Sequence, residues 1–219
     1  MKELLDEKTR VEYIVSKTKE LLGTAPTSID FVDVGALNYV YLAITSSGKI
    51  YFKQWLPRAK KADQLGKDLS SISHLRVKYE KKVVDAIRSA MPSTIDLPII
   101  YKYDEENNIL IMGDVASDGI LLQDALLQGE FNIKVAANIG KFLGISHQKT
   151  YQKGIVIRES KEDDQHHWET FLNMRTKGIN TNAETSQELS RLYQESLANE
   201  TTDVLINMDC CPKNIFQRK

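Results

Sequence analysis

Lys49-Ile50-Tyr51-Phe52-Lys53-Gln54-Trp55 is a run of apolar and aromatic residues that sets a lysine, Lys53, inside a strand-like stretch. Thr45-Ser46-Ser47-Gly48 precedes it and Tyr39 to Ile44 comes before that, so the pair reads as a β-hairpin. Ile29, Phe31 and Val34 suggest one more strand upstream. Residues 3–22 place Leu4, Leu5, Val11, Ile14, Val15, Leu21 and Leu22 among charges at helical spacing, and Gly23 supplies a stop. Downstream the period turns helical from about Leu69 to Ala90, with Ile72, Tyr79, Val83, Val84, Ile87 and Ala90 in one stripe that Pro92 ends. Leu97 to Tyr103 and Ile109 to Met112, split by the polar turn Asp104 to Asn108, read as a second hairpin. Residues 1–112 therefore predict a small antiparallel sheet with one packed helix.

Beyond Gly113 the periodicity is helical: Leu121 to Leu127, Ile133 to about Tyr151, Asp163 to about Lys177, and Thr185 to Leu197. A final apolar run, Val204 to Ile206, leads into Met208-Asp209-Cys210-Cys211-Pro212-Lys213-Asn214. Strands followed by helices predict an α+β chain of two lobes, 1–112 and 113–219.

Composition narrows the function. The 219 residues carry 29 Lys plus Arg against 30 Asp plus Glu, a net charge of −1, which gives no global field to gather nucleic acid or an anionic membrane. The two cysteines are adjacent, so an ordinary loop-closing disulfide and a structural zinc site are both excluded. No stretch approaches the roughly 20 apolar residues of a membrane span, and the charged N-terminus lacks a signal-peptide core. A cytoplasmic protein is expected.

Three features carry chemistry. Lys53 can hold phosphate oxygens, and Glu80, 27 residues on with Val83, Val84 and Ile87 at helical offsets, borders the apolar stripe and is a candidate partner. The alternative has Lys53 in solvent and Glu80 paired locally with Lys81 or Arg76. Gly35 to Asn38 is a turn whose residues tolerate positive φ, so its amides could turn toward a phosphate; a plain hairpin turn is the other reading. It is neither a Walker A loop nor a G-x-G-x-x-G turn. Asp209, with Asn214 five positions later, could aim a carboxylate at a hydroxyl proton and an amide oxygen at a metal, or could form a solvated turn.

Their order along the chain resembles the kinase-like small-molecule phosphotransferases, the family of aminoglycoside phosphotransferases, choline kinases and methylthioribose kinases, from about residue 29 onward. Gly35 to Tyr41 and Phe52 to Pro57 are most similar to methylthioribose kinase. The resemblance implies a protein-kinase-like two-lobe fold and ATP-dependent phosphorylation of a small-molecule hydroxyl, with ATP and Mg2+ as cofactors. It implies that Gly35 and Asn38 cover the phosphates, Lys53 holds them, and Glu80 orients Lys53. Asp209 would accept the hydroxyl proton and Asn214 would ligate magnesium. Ile111-Met112-Gly113-Asp114-Val115 resembles the family's hinge, which places Met112, Asp114 and Val115 beside the adenine. Ala137 to His147 resembles its long helix, whose histidine is structural.

Departures bear on activity. Asn207 stands where the family has histidine, and Met208 stands where it has glycine. Only five residues follow Asn214, whereas the family continues into a strand with a magnesium-binding Asp, so the resemblance implies a truncated helical lobe and impaired transfer. The apolar surface such a lobe leaves open would call for a partner or a second copy. A non-catalytic nucleotide-binding or interaction module is the alternative, and a ligand-free structural fragment is the third. Asp163, Asp164, His166 and His167 are read as a solvated helix face, Cys210 and Cys211 as packing, and Arg58 to Asp68 as a basic loop.

Overall fold

The computed structural model describes residues 7–32, 38–56, 60, 76–90, 96–115, 118–152 and 214–218, with single positions 185, 187, 188, 191, 192 and 195. In chain order the elements are α1 (Glu7–Leu22), β1 (Ser28–Phe31), β2 (Tyr39–Thr45), β3 (Gly48–Gln54), α2 (Arg76–Ala90), β4 (Ile100–Asp104), β5 (Ile109–Gly113), β6 (Gly119–Leu121), α3 (Leu122–Leu127), α4 (Ile133–Gln152) and β7 (Phe216–Arg218).

Five strands form one antiparallel sheet in the order β1-β2-β3-β5-β4. The β2–β3 hairpin closes at Thr45 and Gly48, as the sequence predicts, with Ser46 and Ser47 as the loop. Gly48 has φ 140°, which a side chain rarely adopts, and Thr45 Oγ1 accepts from the Ser47 amide (3.1 Å) while donating to the Gly48 carbonyl (2.9 Å).

Alternation along β3 splits the sheet into two faces. Ile50 and Phe52 point one way and meet Tyr41, Ala43, Ile109, Ile111 and α1's Ile14, forming the main core. α1 covers this face because Ile14 and Thr18, one turn apart, are both fully buried, while Lys17 and Glu20 pair in solvent. The other face carries Tyr51, Lys53 and Trp55, with Trp55 packed on Leu110 beside Ile100, Tyr103 and Met112. α2 packs against β4 and β5 and also touches α4, which joins the sheet to the helical half.

Tyr13 on α1 donates to Asp104 Oδ2 at 2.7 Å, tying the helix to the β4–β5 turn. Burial raises the Tyr13 pKa, helped by the hydrogen bond to Asp104 and that residue's charge. For Asp104, burial favours the neutral acid, but donation from Asn107 and Tyr13 outweighs it and lowers the pKa. The two signs differ. Asp104's contribution is present above the unfolded carboxyl value of about 3.8 and is lost as pH falls through its lower folded value; Tyr13's is present below about 10 and is lost as pH rises. Tyr13→Phe is expected to cost about 1 kcal/mol at pH 7. Urea unfolding should then show a smaller stability loss between neutral and acid pH in the variant than in the wild type.

Three points differ from the sequence reading. The strand expected from Leu97 begins at Ile100: Pro98 has no amide to donate, and the Ile99 carbonyl accepts from Gly113 N at 2.8 Å instead. Leu121 ends β6 rather than starting a helix. The antiparallel β6–β7 pair was not anticipated, because three-residue strands are too short for an alternation to register. The expected helix over 69–90 is described from Arg76 onward, and that over 133–151 is α4. The described positions between 185 and 195 are helical, with Arg191 paired to Glu188 and Glu195. Segments 69–75 and 163–177, the run 204–206, and His166, His167, Cys210 and Cys211 lie outside the described residues.

Candidate functional site

Lys53 sits on the third strand of the sheet order with its side chain on the face away from α1. Its register partners are Val40 on β2 and Leu110 on β5, so the ammonium rises from apolar ground. Glu80 reaches it from the first turns of α2. Lys53 Nζ donates to both Glu80 oxygens at 2.8 Å. Both side chains stay partly open, at 22% and 29% exposed. Local pairing of Glu80 with Lys81 is not what the chain adopts: Lys81 pairs with Asp85, one turn on.

A partly exposed ion pair adds little to stability, about 0–1 kcal/mol. Its consequence is positional. An acid fixed on a helix holds a flexible lysine at one place on the sheet, with a share of the ammonium's surface left for an anion. Lys53 Nζ also lies 5.0 Å from the centroid of the Trp55 ring.

The remaining predicted residues divide. Met112 pairs with Tyr51 in register and lines the lysine face at the end of β5. Asp114 lies just beyond β5, mostly buried, with its Oδ2 4.0 Å from Lys49 Nζ near the start of β3. Val115 follows it and is partly buried. Asn38 lies just before β2, and its Oδ1 is buried without a hydrogen-bond partner among the described residues. Asn214 is exposed and immediately precedes the segment that joins β6, Leu122 N donating to the Ile215 carbonyl. Gly35 and Asp209 lie outside the described residues. His147, read as structural, is partly buried on α4, and its buried Nε2 has no partner among the described residues.

Sequence reasoning missed Tyr51 and Trp55. Both share Lys53's face by simple two-residue alternation, and that offset was the available signal. Tyr51 is half-buried, and burial first, then the charge of Asp114, raises its pKa and keeps the phenol neutral.

An ammonium held by Glu80, with Trp55 beside it, presents positive charge on one side of the sheet and suits an anion; the Asn38 Oδ1, an acceptor, contributes nothing to that attraction. Among the described residues no group of three or more His, Cys, Asp or Glu is placed to hold a metal. A cavity of about 660 Å³ lies on the opposite side of the sheet, between α1 and β1–β2, and shares no residue with the lysine face. Among the described residues no helix is long and apolar enough to cross a membrane.

No protein-family model matches this chain, and no curated protein matches it.

Proposed function

We propose that this chain binds ATP on the lysine face of its sheet and that the reaction this site serves is phosphoryl transfer to a small-molecule hydroxyl. The observation that carries the proposal is the Lys53–Glu80 pair, with both carboxylate oxygens 2.8 Å from one ammonium on the third strand. Such a pair supports the reading because it holds a positive charge that nucleotide phosphates would meet. Met112, Asp114 and Val115 would border the adenine, and Gly35 and Asn38 would cover the phosphates. When bound, Mg2+ would neutralise charge between the phosphates, with Asn214 as one ligand in this reading. Asp209 would take the proton from the acceptor hydroxyl as its oxygen bonds to the γ-phosphorus and the bond to the β-phosphate oxygen breaks, releasing ADP.

In this scheme binding and transfer belong to different residues, which separates the reading from a nucleotide-binding module without catalysis. Asp209→Ala is expected to reduce ATP-dependent phosphorylation of a hydroxyl acceptor by at least about a hundredfold while leaving ATP affinity within about threefold. Transfer unchanged in this variant would remove Asp209 from the mechanism. A wild type that binds ATP and transfers nothing to any acceptor would favour the non-catalytic module.

A further inference from the structure

Glu80 is not the sole group that holds Lys53. Trp55 lies two residues along the same strand and on the same face, with its ring centroid 5.0 Å from Lys53 Nζ. Only 7% of Trp55 is exposed. Leu110, with Ile100, Tyr103 and Met112, packs around it, and its backbone amide donates to the Asn108 carbonyl at 3.1 Å. The ring is thus locked before it meets the ammonium, and indole is the aromatic face that attracts a cation most strongly.

We propose that Trp55 is a positioning residue that pre-orients the Lys53 ammonium for phosphate; this rests on the nucleotide reading above. A lysine head on four rotatable bonds, held by one acid, can still swing about that acid. A ring face on a second side removes the freedom. The ring also does what a second carboxylate could not: it attracts the ammonium without adding a negative charge that would repel the incoming phosphate.

The test has two arms on the full chain. With lysine labelled at the ε-carbon, the Lys53 ε-protons should resonate upfield of the other lysines because of the indole ring current. That shift should vanish in Trp55→Leu and persist in reduced form in Trp55→Phe. Calorimetric titration with ATP and Mg2+ should show affinity lowered about tenfold in Trp55→Leu, with at least partial recovery in Trp55→Phe, which keeps an aromatic face. Trp55→Met, of similar bulk to Leu and without a ring, replaces Trp55→Leu if that variant does not fold. An unshifted Lys53 signal in the wild type overturns the proposal. Equal ATP affinity in the wild type and the ringless variant overturns it as well, and so does equal loss in the Phe and Leu variants. No ATP affinity in the wild type defeats the nucleotide reading and the positioning role with it, and the intact Lys53 shift marks that outcome apart from a missing contact.

Discussion

Lys53→Ala is expected to lower phosphoryl transfer by about 10²–10³-fold, the usual consequence of deleting one charged donor aimed at a transition state. The substitution removes the ammonium that Glu80 grips and leaves that carboxylate facing the incoming phosphates, so a lost attraction becomes a repulsion. Glu80→Gln should be milder. It keeps a side chain of the same shape but releases the lysine to its other rotamers, and the expected loss is about tenfold. Lys53→Arg should fall between these two, because the charge is kept but a planar guanidinium engaged by Glu80 and stacked on Trp55 presents it at a different place. Initial rates of ATP-dependent phosphorylation across the three variants check the ranking. Transfer in Lys53→Ala equal to wild type would contradict it.

The second large effect concerns the other side of the same strand. Phe52 is 2% exposed and packs edge-on against Tyr13, with ring centroids 6.3 Å apart, in the cluster of Ile14, Ile50 and Ile111. Phe52→Ala should cost about 3–5 kcal/mol through lost transfer free energy and the cavity left behind. That is a large part of the 5–15 kcal/mol or so that stabilises an ordinary domain. At about 2–4 °C per kcal/mol for a chain of this size, the thermal midpoint should fall by about 6–20 °C. Phe52 points away from the lysine face, so below its melting transition the variant should keep ATP affinity close to wild type. Phe52 and Lys53 are neighbours in sequence, and the pleat between them separates a folding role from a binding one.

That same pleat explains what could be read in advance. The β2–β3 hairpin, the α1 stripe and the α2 stripe were legible because each repeats its period over several residues and ends on a breaker: Gly23 at φ 74°, the Ser46-Ser47 loop before Gly48, and Pro92. The Lys53–Glu80 pair was legible for a related reason, since an acid bordering a buried helical stripe requires a cation nearby, and the strand lysine could reach it. The sheet order was less accessible. β3 pairs with β5 rather than with β4, the next strand in sequence, a choice made by tertiary packing of Phe52 against Ile111 and of Tyr51 against Met112. The β6–β7 pair joins residues about 100 apart through three-residue strands, and no local pattern announces such a contact. Trp55 reads in the sequence as part of a strand, and its ring against Lys53 emerges only when the face is assembled. Asp114 reads as an adenine-side residue, and its proximity to Lys49, 4.0 Å across the start of β3, follows from no spacing rule.

Thermal denaturation of the full chain with increasing ATP and Mg2+ tests the central claim, that the Lys53–Glu80 face is a nucleotide site, most directly. At ATP one hundred times its dissociation constant the wild type should gain about 2.7 kcal/mol, or about 5–10 °C in its midpoint, while Lys53→Ala should gain almost nothing at the same concentration. No shift in the wild type at millimolar ATP, or an equal shift in Lys53→Ala, would contradict it.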